Sequence, residues 1–188
     1  MKTLTSILSV FCLLVTTSVL AETVHIDFSY TENHSVDFSK LKGSLQVGQF
    51  TDERSGVSST LITSVNFGHT TDGYTANTPL PDLIEEALRQ GFISGGATLV
   101  ETDADFTLTG GILAIDAVAV ERGGVNSIQI TFRTKLELNS GGRTVWQTTL
   151  FGRGIAPVED GIVPAVEAAL SRTIRELVSD DYFKMELI

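Results

Sequence analysis

Residues 127–138 read Ser-Ile-Gln-Ile-Thr-Phe-Arg-Thr-Lys-Leu-Glu-Leu. Ile128, Ile130, Phe132, Thr134, Leu136 and Leu138 alternate strictly with Gln129, Thr131, Arg133, Lys135 and Glu137. A period of two sends these sets to opposite faces of a strand, one covered and one wet, the pattern of an antiparallel sheet lying on a core. Gly123-Gly124 before the segment and Ser140-Gly141-Gly142 after it are turn sequences. The long apolar run 104–121, expected to kink or bulge at Gly110-Gly111, precedes it, and 143–152 follows it. The three together predict an antiparallel meander.

A sheet with one apolar face needs a cover, and two segments have helical periodicity. Over 79–92, Leu80, Leu83, Ile84, Ala87, Leu88 and Phe92 share one side, while Asp82, Glu85, Glu86 and Arg89 face water. Gly91 and Gly95-Gly96 end that helix. A second helix is expected over 160–179, with Ile162, Val166, Ala169, Leu170, Ile174 and Leu177 as its stripe. Asp160 is its expected N-cap, and Pro164 is tolerated in its opening turn. The prediction is an α+β fold: a two-layer sandwich of a mostly antiparallel sheet with two amphipathic helices on one face.

The first half of the chain is less regular. Residues 24–30 alternate, with Val24, Ile26, Phe28 and Tyr30 on one face, and predict a first strand. A polar connection over 35–42 leads to a second strand over 43–50, with Leu45, Val47 and Gln49 set against Gln46 and Phe50. Residues 51–78, rich in Ser, Thr, Gly, Asp and Asn, are expected to be a long loop or hairpin with a short strand within 61–67. A loop of that length is the first place to look for function.

The amino terminus has the layout of a secretory signal. Met1-Lys2 is followed by an apolar run over 7–15, small polar residues at 16–18, and Val19-Leu20-Ala21 as a cleavage site. The run is too short to span a membrane. Residues 1–21 are therefore expected to be removed, leaving one α+β domain over 22–188 and no stable transmembrane segment. The only cysteine, Cys12, lies inside the apolar run behind Ser9-Val10-Phe11, and Phe11 is too large for the cleavage that precedes lipidation. Neither a lipid anchor nor a disulfide is expected in the mature chain. Export without disulfides suits a bacterial periplasm.

The chain carries a net charge of −10, and loss of Lys2 makes the mature part about −11. With no basic cluster in the sequence, this argues against nucleic acid as a partner and against adhesion to anionic lipid. Hydrophobic content of 42% is ample for a core.

No catalytic constellation emerges, and no cofactor is implied. His25, His34 and His69 are scattered without metal-ligand spacing, so no metal site is expected. Asp103 with Asp105, and Asp180 with Asp181, are paired acids at a strand start and a helix end, where solvation removes the shift that acid–base chemistry needs. No Gly-x-Ser-x-Gly elbow occurs, and the Gly91 to Gly96 glycines end a helix rather than opening one. Two candidates remain for binding. Asp52-Glu53-Arg54, just after the second strand, forms either a recognition point at the sheet rim or a capped turn with an ion pair. Trp146 either packs in the core or, facing out, marks a contact surface.

Gly48-Gln49-Phe50-Thr51-Asp52-Glu53-Arg54 closes a strand with Asp-x-Arg. A polar loop, the helix ending near Gly91, Ala104-Asp105-Phe106 opening a long strand, the meander and the closing helix follow. This order resembles the YajG-like group of Gram-negative envelope lipoproteins, and is more distantly similar to the ABC-transporter auxiliary lipoproteins. The resemblance spans about 41–187. It implies an α+β envelope domain tethered by a lipidated cysteine, and it transfers no catalytic residues; the tether is where this chain departs.

The expected function is that of a non-enzymatic periplasmic accessory or binding protein. It would contact another envelope protein through the sheet's open face or the 51–78 loop. The alternatives are a small apolar-ligand carrier, with a pocket between sheet and helices lined by residues such as Phe106 and Phe132, and an acid–base hydrolase using Asp103 or Asp105.

Overall fold

The strand at 127–138 is the middle of a longer one, β6 (Val125–Ser140), flanked by β5 (Phe106–Arg122) and β7 (Arg143–Pro157) in antiparallel register. The protein is described by a computed structural model covering residues 20–32 and 36–188. The expected signal peptide, apart from Leu20 and Ala21, lies outside the described residues, as do Cys12, His34 and Ser35. The meander forms as its alternation predicts: Ile128, Ile130, Phe132, Thr134, Leu136 and Leu138 are all buried.

A fourth strand, β2 (Leu45–Asp52), pairs with β5 in parallel, so the sheet is mixed and its order is β2-β5-β6-β7. Register slips between Val47 and Phe50, which moves Phe50 into the core and leaves Gln49 in water. A strand that keeps strict alternation could not do this; the irregularity corrects the expected faces of this strand. The kink expected at Gly110-Gly111 falls instead between Ile112 and Ala114. Gly110 serves close packing, since a Cβ there would lie 2.6 Å from Phe50 Cε1.

Helices α1 (Leu80–Ser94) and α2 (Val163–Ser179) cover the apolar face, α1 over β2 and α2 over β6 and β7. They meet where Gly91 faces Ile174. Asp160 is not the N-cap of α2. It sits in a separate 3₁₀ turn, Val158–Asp160, and Gly161 at φ 78° redirects the chain before the helix begins. Asp180 is not simply a solvated end either. Its Oδ1 accepts from Phe183 N at 2.9 Å and caps a short helix, α3 (Asp181–Leu187), that apolar spacing over seven residues is too brief to reveal. Phe183 then joins an aromatic chain, 4.8 Å from Trp146 and 6.1 Å from Phe92, which meets Phe38 at 5.1 Å.

The first half differs most from expectation. Of the strand expected over 24–30 only Val24 is in one, at the end of β1 (Glu22–Val24); β1 pairs in parallel with β4 (Tyr74–Ala76), which pairs with β3 (Leu61–Thr63) in a second, three-stranded sheet. The expected 51–78 loop is mostly turn and coil, as its composition predicts; it carries the expected short strand, β3, and a second one, β4, that pairs with it. Residues 24–30 keep their alternation, with Ile26 buried, but beyond Val24 side chains satisfy their backbone. Asn77 Oδ1 accepts from Ile26 N, while Gln90 accepts from Tyr30 N and donates to the Phe28 carbonyl. Period two marks which side is buried, not whether a neighbouring strand exists.

Among the described residues, one buried hydroxyl stands out. Thr134 is 0% exposed and its Oγ1 makes no hydrogen bond. Thr134→Val keeps the volume and removes a desolvated hydroxyl, so it should raise stability by about 1 kcal/mol. A denaturation midpoint that stays put or falls would show that the hydroxyl is satisfied in solution.

Candidate functional site

The tripeptide singled out in the sequence divides between two roles. Asp52 and Arg54 face each other in a bidentate pair: Nε donates to Oδ1 at 2.9 Å and Nη2 to Oδ2 at 2.7 Å, with the side chains only 11% and 10% exposed. Arg54 Nη1 also donates to the Leu61 carbonyl at 2.7 Å and Nη2 to that of Ser58 at 3.2 Å. The guanidinium thus spends its donors tying the end of β2 to the start of β3, and holds the Asp52 carboxyl below its usual range. This pair is the ion pair of the capped-turn reading, and it staples the two strands together.

Glu53 points the other way, onto the sheet's open face. With Gln49, Thr51, Thr109, Lys135 and Glu137 it lines a shallow concavity of about 220 Å³. Lys135 Nζ pairs with Glu137 at 2.6 Å; that bond first, with Glu53 as a weaker contributor, pushes the ammonium pKa up. Trp146 is 8% exposed and packed on Phe183, so the core takes it.

A larger concavity, about 820 Å³, was not legible in the sequence because its residues come from four elements. Thr149, Phe151, Arg153 and Ile155 of β7 lie along it, with Arg172 and Arg175 of α2 and Arg122 at the end of β5. Phe151 is 55% exposed and Val118 on β5 45%. The sequence signal for this face was the second polar set of the meander, with Phe151 standing out among the polar positions.

The other candidates do not converge. Asp105 accepts from Ser44 N and Oγ, both at 2.8 Å, joining the starts of β2 and β5; these bonds lower its pKa, opposite to the shift a general acid requires. Asp103 is exposed at φ 55° in the turn before β5. Phe132 is 1% exposed in the core, and neither it nor Phe106 borders either concavity. Burial raises the Glu85 and Glu167 carboxyls, but they sit on different helices. His25 is an exposed residue whose Nδ1 lies 2.9 Å from Asn77 Nδ2. Among the described residues no group of three or more His, Cys, Asp or Glu is placed to hold a metal, and no helix is long and apolar enough to cross a membrane.

No family model and no curated protein matches the chain. Among solved structures it is similar to protein XCC0632 of Xanthomonas campestris, described under the family DUF330. The TM-score is 0.62 at 18% identity, over 84% of this chain and 93% of that one. Hypothetical protein CT253 of Chlamydia trachomatis aligns at a TM-score of 0.44 and 12% identity, over 73% of this chain and 94% of that one. A minor lipoprotein of Acinetobacter baumannii aligns at 0.38 and 10%, over 56% and 85%. What this chain shares with XCC0632 is its α+β fold, over nearly the whole length of that protein.

Proposed function

We propose that this chain is a non-enzymatic accessory protein of the bacterial cell envelope, acting by contact with another envelope component. The observation that carries the reading is the 820 Å³ concavity beside the sheet's open face, where Phe151 stands exposed among arginines. An apolar anchor within a charged rim is the anatomy of a protein contact surface. The leader-like residues 1–21 support export, and the resemblance to YajG-like lipoproteins supports an envelope setting; the periplasm is the compartment this reading takes.

A photo-crosslinking residue at position 151, in cells making the full-length chain, tests this. One reproducible envelope protein captured there, and not from position 57 in the loop before β3, is the expected result. Capture only from position 57 would move the contact to the loop. A chain that crosslinks to nothing and arrives in native mass spectrometry with an added small mass would replace the reading with that of a carrier. Sequencing the mature protein should give Glu22 as its first residue; an intact Met1 would remove the export argument.

A further inference from the structure

The two edges of the four-stranded sheet are treated differently. The β2 edge is covered at its start: Leu45 bridges Leu99, Val100 N donates to the Leu45 carbonyl at 2.9 Å, and Gln46 Nε2 donates to the Glu101 carbonyl at 2.6 Å. The β7 edge is bare. Over its fifteen residues it pairs with β6 on one side, and among the described residues no backbone hydrogen bond reaches its other side. Unpaired N–H and C=O groups in a row are a template for a further strand, which is why long edges are normally shortened or covered.

This edge also has a sign. The 820 Å³ concavity follows it over 149–155, and four arginines line that space, Arg122, Arg153, Arg172 and Arg175, against two acids, Glu121 and Glu176. They are four of the thirteen lysines and arginines in a chain of net charge −10, so the local surplus of positive charge stands out against an acidic molecule. Arg172 pairs with Glu176 and Arg175 with Glu32, while Arg122 and Arg153 have no ion-pair partner among the described residues.

We propose that the free edge of β7 takes an extended, acidic segment of a partner protein by strand addition. Main-chain pairing runs along 149–155, and the partner's carboxylates meet Arg153 and Arg172. The proposal rests on the accessory reading and names the chemistry of its partner. A second copy fits poorly, because two β7 edges joined about a two-fold axis bring their arginines together. An anionic membrane would engage the arginines but leave the strand edge unpaired, and the rest of the molecule would repel it.

The test uses the mature protein and three labelled twelve-residue peptides: one alternating valine or threonine with glutamate, its lysine counterpart, and the glutamate peptide N-methylated at alternate residues. The glutamate peptide should bind and give hydrogen-exchange protection to amides within 149–155. Affinity should fall at least tenfold for each of the other peptides, and equally for the glutamate peptide with the Arg153→Glu/Arg172→Glu protein, whose substituted residues are exposed and keep the fold. Equal binding of the N-methylated peptide would overturn strand addition, and equal binding by the charge-reversed protein would overturn the role assigned to the arginines. Protection of 149–155 without peptide, in a dimer seen by sedimentation, or binding of phosphatidylglycerol vesicles in preference to every peptide, would also overturn it. If position 151 captures an envelope protein but the glutamate peptide does not bind, strand addition fails while the accessory reading survives.

Discussion

Gly154→Ala should cost about 3 kcal/mol of stability and lower the melting temperature by roughly 10 °C, although it adds a single methyl group. The inward face of β7 narrows to Gly152, Gly154 and Ala156, opposite Phe132, Ile130 and Ile128 of β6. That narrowing lets α2 lie directly on the strand. A Cβ on Gly154 would collide with the Ala165 carbonyl oxygen and stand 2.5 Å from Ala169 N. Both are helix backbone atoms that no rotamer change can move, so the helix must lift or slide. Ala165, Ala169 and Thr173, each no more than 2% exposed, would lose packing as it did. The midpoint of urea unfolding measures the loss; a change below 1 kcal/mol would mean that α2 does not seat so closely. The same displacement would move Arg172 and Arg175 relative to the β7 edge, so Gly154→Ala should also weaken binding of an acidic peptide.

Arg54→Met should be comparably damaging, at about 3 kcal/mol, because it leaves the Asp52 carboxylate almost enclosed without its partner. Asp52→Asn with Arg54→Met should recover part of that loss, since removing both charges also removes the desolvated one. The effect has a pH signature. Asp52 has a lowered pKa in the folded protein, first through its hydrogen bonds from the Arg54 side chain. The pair's contribution is therefore complete above the unfolded carboxyl value of about 3.9 and is lost as pH falls through the folded value. In Arg54→Met the unpaired carboxyl is relieved by protonation, so the stability gap to the wild type should close on acidification. A gap constant from pH 7 to pH 3 would show that the ion pair is not its source.

Much of the fold was readable from local pattern. The meander, both long helices and their buried stripes follow from periods of 2 and 3.6 in the side chains, and these survive wherever a face is covered. The misses share a cause. Residues 24–30 have a strand's alternation, but Asn77 and Gln90 rather than a neighbouring strand satisfy their backbone beyond Val24. Tyr74–Ala76 is three residues long, and only its partners Leu61–Thr63 and Glu22–Val24 make it a strand. Asp180 caps a helix whose short length conceals it until Phe183 and Leu187 are seen to be buried. At the site, Asp52, Glu53 and Arg54 are adjacent in sequence but divide in space: Arg54 turns inward to carbonyls of the following loop and Glu53 faces the open side of the sheet, while the arginines beside β7 share no sequence pattern.

By itself, then, the sequence determined the fold class, the wet and buried faces of the meander, and an acidic chain with no motif for metal or nucleophilic chemistry. These are properties of neighbouring residues and of composition, and they need no knowledge of what lies across the fold. Only the tertiary structure decided that β2 joins the meander in parallel, that Gly152 and Gly154 admit a helix, that the outer side of β7 takes no backbone hydrogen bond among the described residues, and that Arg122, Arg153, Arg172 and Arg175 converge on one concavity. Each of these depends on segments tens of residues apart being brought together, and hydrogen-bond pairing and charge clustering between such segments leave no periodic trace in the chain.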